Sequence, residues 1–402
     1  MNKPQLSSES TILKPRIWFE GLDGLRAVAA TLIVIHHSGF SSGLTFRSDF
    51  LGQFLSRMDI GVSIFFVLSG FLLYRPYVEK QFEEKKPDKT KHFWAKRLVR
   101  IYPAYWLALI VILWSGAVEV FGTNGATLAL SLTHIYHSPH ALFYGISQSW
   151  SLATELGFYL VLPFLAGFGR KLTKGKSIDQ QALRLLIMCA GLIILSFIFR
   201  IVIATFAEPD LYWWGASANL WMPSYLDTFS VGMVIAVVSV WASKETRVAK
   251  FISPFVRKAW WWWLSAIILF WLVSTQMGLP RGFEGAPWNK NLGIEMIRQT
   301  IYWAIGVCLL IPLIFSSNTP NRSIKFLSSK TMTYLGTISY GIYLWHQGFL
   351  TWAHQWLNWP ELSGNFFSLL ALSFIGSSLV AGLSYKFLEK PLNAQLRRLL
   401  HR

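Results

Sequence analysis

Apolar residues gather into ten long stretches along the chain, at roughly 22–40, 59–75, 102–120, 150–168, 182–206, 222–242, 259–278, 296–317, 333–354 and 366–386. Each has, or nearly has, the ~20 residues that a helix needs to cross the hydrocarbon core of a bilayer. An eleventh run, 126–137, is shorter, and His134, His137 and His140 cluster at its end. It reads as a re-entrant or interfacial piece rather than a span. The pattern predicts an all-α, polytopic membrane helix bundle of about ten transmembrane helices.

The placement of charge orients this bundle. With the N-terminus in the cytoplasm, 30 of the 37 basic residues fall in cytoplasmic segments. If 126–137 crossed fully, the later loops would invert and the bias would be lost. Both termini are therefore expected inside. A polar tail, 1–21, precedes a membrane domain, 22–390, and a short basic tail, 391–402, follows it. This placement also accounts for the net charge of +17 with membrane lipid as the partner and without nucleic acid.

Composition narrows the class further. Only 14% of residues are charged and 53% are hydrophobic, whereas soluble domains carry about 25% charged residues. An aromatic content of 16% excludes disorder. Cys189 and Cys308 both lie in apolar runs and read as buried free thiols, so no disulfide scaffold is implied. Residues 1–20 are polar and no cleavage site follows the first apolar run, which excludes a cleaved signal. Trp260–Trp263, beside Arg257 and Lys258, suit an interfacial aromatic belt. The longest loops, 76–92 and 121–149, are too short for a soluble catalytic domain. Any chemistry must occur in or at the membrane, as in a multi-pass protein of the plasma membrane.

Ionisable residues inside spans are costly and are functional candidates for that reason. Here they are Arg26, His36, His37, Glu119, Glu155, Arg200, Asp227, Arg298 and His346. Arg26 and His37, in GLDGLRAVAATLIVIHHSGF, are about three helical turns apart, which puts them on one face about 16 Å apart in depth. A fixed cation below and an imidazole above could line a polar channel; a snorkelling Arg and an interfacial His is the plainer reading. Glu155, in SWSLATELGFYLVLP, is expected about one turn inside the apolar region, at the depth of His37. A carboxylate there can orient an imidazole and raise its basicity; alternatively it bonds a backbone group or a lone Arg such as Arg200.

Four further features carry two readings each. Ser69-Gly70 marks either close helix packing or a backbone approach for a ligand. Arg97 and Arg100 share a helical face ahead of Pro103, which reads as a break. Their forked guanidiniums suit a phosphorylated ligand or anionic headgroups. Tyr340, Tyr343 and His346 recur at helical spacing, as a packed polar face or a site. Asp227 is a cap or a site residue. There is no P-loop, no paired-Cys motif and no G-x-S-x-G elbow. No metal is expected, because the histidine cluster at 134–140 has no acid or Cys beside it.

Together, GLDGLRAVAATLIVIHH, FFVLSGFLL, KRLVRIYP, WSLATELGFY, ISYGIYLWH and FLEKPL, in that order, resemble the acyltransferase-3 family of integral membrane acyltransferases. The resemblance covers nearly the whole chain. It implies transfer of an acyl group, usually acetyl, from cytoplasmic acyl-CoA to a hydroxyl of a glycan, lipid or small molecule. It implies that His37 is the active-site histidine with Arg26 as its partner, and that Arg97 and Arg100 form the acyl-CoA element. Ser69, Glu155, Tyr340 and His346 match other family signatures. The chain departs from larger relatives in ending at Arg402, soon after the last stretch, without an extracytoplasmic SGNH-type domain; a second transfer by such a domain would need a separate partner. The expected mechanism has phosphates on Arg97, Arg100 and Arg26, and His37, oriented by Glu155, as general base or as acyl carrier. The rival reading is a transporter or exporter using buried His, Glu and Arg as a proton relay, although no inverted repeat is evident.

Overall fold

The computed structural model describes residues 19, 21–117, 127, 129–136, 145–206, 218–256, 258–279, 281, 292–315 and 322–400. The tail up to residue 18, Glu119, His137, His140 and Arg257 lie outside the described residues. Among the described residues there are helices and no strands, and ten helices have 17 residues or more. They are α1 (Leu22–Ser41), α2 (Ile60–Phe82), α3 (Thr90–Trp114), α4 (Trp150–Thr173) and α5 (Ile178–Phe206). The rest are α6 (Leu226–Lys244), α7 (Ala259–Thr275), α8 (Leu292–Phe315), α9 (Ser339–Leu357) and α10 (Phe366–Ser384).

Seven of the helical segments described are long and apolar enough to cross a membrane, and they contain α2, α3, α4, α5, α6, α8 and α10. The shorter α7 is apolar but has 17 residues. The remaining two, α1 and α9, are long enough but too polar, because they carry Asp23, Arg26, His36 and His37 on one and His346, Gln347 and His354 on the other. Both pack against the apolar helices, and His346 is fully buried among them.

The bundle has a centre and a rim. In α6, 78% of the apolar window is buried; in α5 and α10 the figure is 22%. At the centre α2 and α6 touch backbone to backbone. A Cβ on Gly70 would stand 2.0 Å from the Phe229 carbonyl oxygen, and one on Gly232 would stand 2.1 Å from that of Val67. Only glycine permits this approach.

Contacts between loops separate two ends. At one, Glu83 bridges Lys244 at 2.7 Å and Lys85 at 2.9 Å. Arg170 donates to the Lys85 carbonyl and Arg247 pairs with Asp179. The two lysines hold the Glu83 carboxyl down at about 2. At the other end Ser41 bonds His354 at 2.7 Å, and His36 Nδ1 donates to the Leu55 carbonyl at 2.9 Å. We call the first the basic end.

Two elements differ from the expected pattern. The third helix begins at Thr90 and runs through Pro103, so Arg97 and Arg100 stand on α3 itself, with no break after them. Tyr340 donates to the neighbouring Ile101 carbonyl at 2.8 Å, which ties backbone near the proline. The stretch 333–354 is two helices, Lys330–Thr337 and α9, turned at Ile338, where the Ser339 hydroxyl bonds the Gly336 carbonyl. Around 129–136 the chain forms only a turn or so of helix, folded onto α3. The carbonyls of Ala129, Leu130 and Ser131 accept from Tyr105, Trp106 and Tyr102 at 2.6, 2.9 and 3.0 Å. Such partners let irregular backbone exist within a bundle.

Candidate active site

A cavity of about 100 Å³ opens between α1, α2, α3, α4 and α9. Arg26, Ser69, Arg97, Arg100, Glu155 and Tyr340 all line it. They come from five helices and span most of the sequence, so the fold gathers six of the expected residues around one space. A second cleft, lined by Tyr77, Lys80, Phe93, Lys96 and Arg97, shares Leu72, Leu73 and Arg97 with the first and lies toward the basic end.

Each charged wall residue has a local reason for its place. Arg97 extends across the rings of Phe93 and Tyr159, at 5.7 and 5.9 Å to their centroids, so α3 and α4 aromatics hold the guanidinium flat. Its Nε has no hydrogen-bond partner among the described residues. Arg26 has Asp23 3.9 Å away, one turn back on α1. Glu155 accepts from the Ser69 hydroxyl at 2.5 Å, and lies within electrostatic reach of Arg26 and Arg97. Three guanidiniums thus share a largely apolar cavity with one carboxylate on its wall. Such an excess of fixed donors suits an anionic ligand.

The expected pairing of His37 with Glu155 does not form. His37 Nδ1 lies 3.0 Å from His346 Nε2 and 3.1 Å from the Ile33 carbonyl. Glu155 instead bonds Ser69 and lines the cavity with Arg26. The cause is the chain ahead of α4. Residues 147–149 form a short 3₁₀ turn pressed against α9. The Gln148 amide donates to the Tyr343 and Leu344 carbonyls at 3.2 and 3.1 Å, while Ser147 bonds Gln347 at 2.6 Å. So α4 starts deep in the bundle, and Glu155, more than a turn further on, passes below the histidines.

Tyr343 joins the two regions. Its ring lines the cavity and its hydroxyl bonds the Gln148 carbonyl and Ser151 at 2.6 and 2.7 Å. Its carbonyl meets His346 Nδ1 at 2.8 Å. The two histidines therefore stand just beyond the end of the cavity that Tyr343 and Phe65 line, toward the end opposite the basic one. His346 is fully buried, whereas His37 is partly exposed.

Asp227 stands elsewhere. It is fully buried at the start of α6, where one oxygen takes Arg200 at 2.5 Å and the other accepts from the Thr228 amide at 2.7 Å. Arg200 also binds the Ser224 carbonyl and Ser196. The pair ties α5 to α6 and does not line the cavity. Of the two sequence readings of Ser69-Gly70, Gly70 gives the close helix packing, and Ser69 lines the cavity.

A family model for an acyltransferase domain matches residues 19–385. The chain belongs to this acyltransferase family. As a member with seven long apolar helices among its described residues, it is an integral membrane protein. A Bacillus subtilis protein, YrhL, provisionally named a peptidoglycan O-acetyltransferase, is 26% identical over 394 residues, covering 94% of this chain and 55% of the relative. O-acetyltransferase OatA of Staphylococcus aureus is 23% identical over 389 residues, covering 93% and 57%. Peptidoglycan O-acetyltransferase OatA of Listeria monocytogenes is 25% identical over 397 residues, covering 94% and 56%. The chain thus spans little more than half the length of the curated relatives it matches. No solved structure matches.

Proposed function

We propose that this acyltransferase takes an acyl group, acetyl by analogy with the names of its relatives, from acyl-CoA at the cytoplasmic face of the plasma membrane. It delivers the group to a hydroxyl of a cell-envelope glycan on the far side. The observation that carries this reading is the cavity lined by Arg26, Arg97 and Arg100, which leads from the basic end toward the paired imidazoles of His37 and His346.

In this reading the donor phosphates bind Arg97, Arg100 and the lysines of the adjoining cleft, as in other phosphate sites built from forked and point cations. The pantetheine arm lies along the cavity, where Ser69 and Glu155 offer hydrogen bonds to its amides. The acyl carbon then lies near His37. His37 takes the proton from the acceptor hydroxyl, and the oxygen attacks the thioester carbon. The C–S bond breaks, and the thiolate takes the proton back from the imidazolium and leaves as CoA. Phe65 and Tyr343 must yield for the acyl end to pass.

The test is release of CoA from acetyl-CoA by membranes holding the protein, compared with His37→Ala at matched expression. A general base contributes roughly 10²–10⁴-fold, so the variant is expected to lose at least about a hundredfold in rate. Release that is unchanged in His37→Ala removes His37 from the chemistry. No release from any acyl-CoA, with glycan acceptors present, removes the acyl-CoA reading.

A further inference from the structure

The paired imidazoles of His37 and His346 have a protonation order that their contacts dictate. A carbonyl oxygen can only accept, so His346 Nδ1, 2.8 Å from the Tyr343 carbonyl, carries a hydrogen. In the neutral ring His346 Nε2 is then a lone pair. His37 Nδ1 faces that lone pair at 3.0 Å and the Ile33 carbonyl at 3.1 Å. Both neighbours accept, so His37 Nδ1 must donate. The lone pair of His37 is thereby confined to Nε2, which has no hydrogen-bond partner among the described residues.

We propose that His346 is a positioning residue, which fixes the Nδ1–H tautomer and ring orientation of His37 so that Nε2 is the proton-accepting atom. This rests on the acyltransferase reading given above only for its consequence in catalysis. The order runs from the Tyr343 carbonyl through His346 to His37, and each link is anchored. His346 is fully buried, and the Ser373 hydroxyl from α10 bonds its carbonyl at 2.9 Å. Tyr343 is held by Gln148 and Ser151. Without the His346 acceptor, only the Ile33 carbonyl would favour the same tautomer. That carbonyl belongs to the preceding turn of the same helix, where the α-helical ladder already uses it. The arrangement also ties His37 to the cavity, because the residue whose carbonyl begins the chain is the residue whose ring lines the cavity end.

Two near-isosteric variants separate positioning from mere packing. In His346→Gln the new side chain reaches the place of Nε2, so its amide oxygen can still accept from His37. In His346→Asn the shorter side chain reaches the place of Nδ1, keeps the Tyr343 contact and leaves His37 without its partner. We expect His346→Gln to keep turnover within a few fold. His346→Asn is expected to lose roughly ten- to a hundredfold in kcat with KM for acyl-CoA little changed, and to lose nothing further in a His37→Ala background. Equal loss in both variants, or additive loss in the double mutant, overturns the proposal.

A second measurement does not depend on the reaction. Nitrogen NMR of 15N-histidine-labelled protein in lipid nanodiscs, with His37 assigned by subtraction of the His37→Ala spectrum, reads the tautomer directly. The expected result is Nδ1–H in the wild type and in His346→Gln, with Nε2–H appearing in His346→Asn. A wild-type His37 carrying its hydrogen on Nε2 overturns the proposal whatever the substrate is. The expected spectra together with no turnover of acyl-CoA would leave the positioning intact and remove the acyl-CoA reading.

Discussion

Glu155 and His37 were the natural pair on sequence grounds, and each is bonded elsewhere, Glu155 to Ser69 and His37 to His346. In the proposed reaction they do different work: Glu155, hydrogen-bonded to Ser69 on the cavity wall, holds the donor, and His37 deprotonates the acceptor hydroxyl. A hydrogen bond to a charged group is worth about 1.5–3 kcal/mol, which is roughly ten- to a hundredfold in binding. Glu155→Gln and Ser69→Ala are therefore expected to raise KM for acyl-CoA roughly tenfold or more with kcat within a few fold, measured by CoA release. A loss confined to kcat would return Glu155 to the chemical step. The residues around the cavity were legible because an ion in hydrocarbon is expensive, so each one the sequence retains needs a reason. The partner of His37 was not legible. His346 lies 309 residues away, and no spacing rule spans two helices so far apart in sequence. The depth of Glu155 was hidden for a similar reason, because it depends on where the 3₁₀ turn at 147–149 docks against α9.

Helix boundaries followed the apolar stretches closely except where polar residues extend a helix past its apolar core. Residues 90–101 mix Lys and Arg with Phe93, Trp94 and Leu98, which hides a helix from a reading based on apolar length, and α3 is longer for it. The α2–α6 contact depends on glycine at two facing positions. A Cβ at Gly70 would meet backbone, which has no rotamer with which to yield. Gly70→Val is expected to abolish the folded protein in detergent, read by size-exclusion chromatography, whereas Ser69→Ala, its neighbour, should leave the profile unchanged. The Arg200–Asp227 pair works at the same level. Breaking a buried pair by removing one partner costs about 3–5 kcal/mol, because the other charge is left without its counter-ion. Asp227→Ala is expected to lower thermal stability markedly and to leave KM for acyl-CoA unaltered in the molecules that remain folded. A raised KM would place Asp227 in donor binding instead.

At the scale of the whole molecule, the proposed reaction has its two sides at ends that differ in charge. The basic end gathers the loops that carry most of the lysines and arginines, and the cavity and its adjoining cleft approach that end. The C-terminal helix Lys390–Leu400 packs against α3, and Glu389 just before it is within electrostatic reach of Arg100. It shares this end with the first turn of α1, where Arg26 faces Glu155. Excess positive charge is retained on the cytoplasmic side of membrane proteins, and CoA esters are made and kept there. In the proposed reaction the acceptor reaches His37 from the end where Ser41 bonds His354. This orientation is open to direct measurement because the chain has only two cysteines, Cys189 and Cys308, both buried and free. With both replaced by alanine, Lys89→Cys at the basic end and Glu361→Cys at the opposite end give two exposed reporters. A membrane-impermeant maleimide applied to intact cells is expected to label Glu361→Cys at once and Lys89→Cys only after permeabilisation. The reverse pattern would put the arginine cavity on the outer face, where no acyl-CoA is present. The donor would then have to be a different activated acyl compound, even if His37 still served as the base.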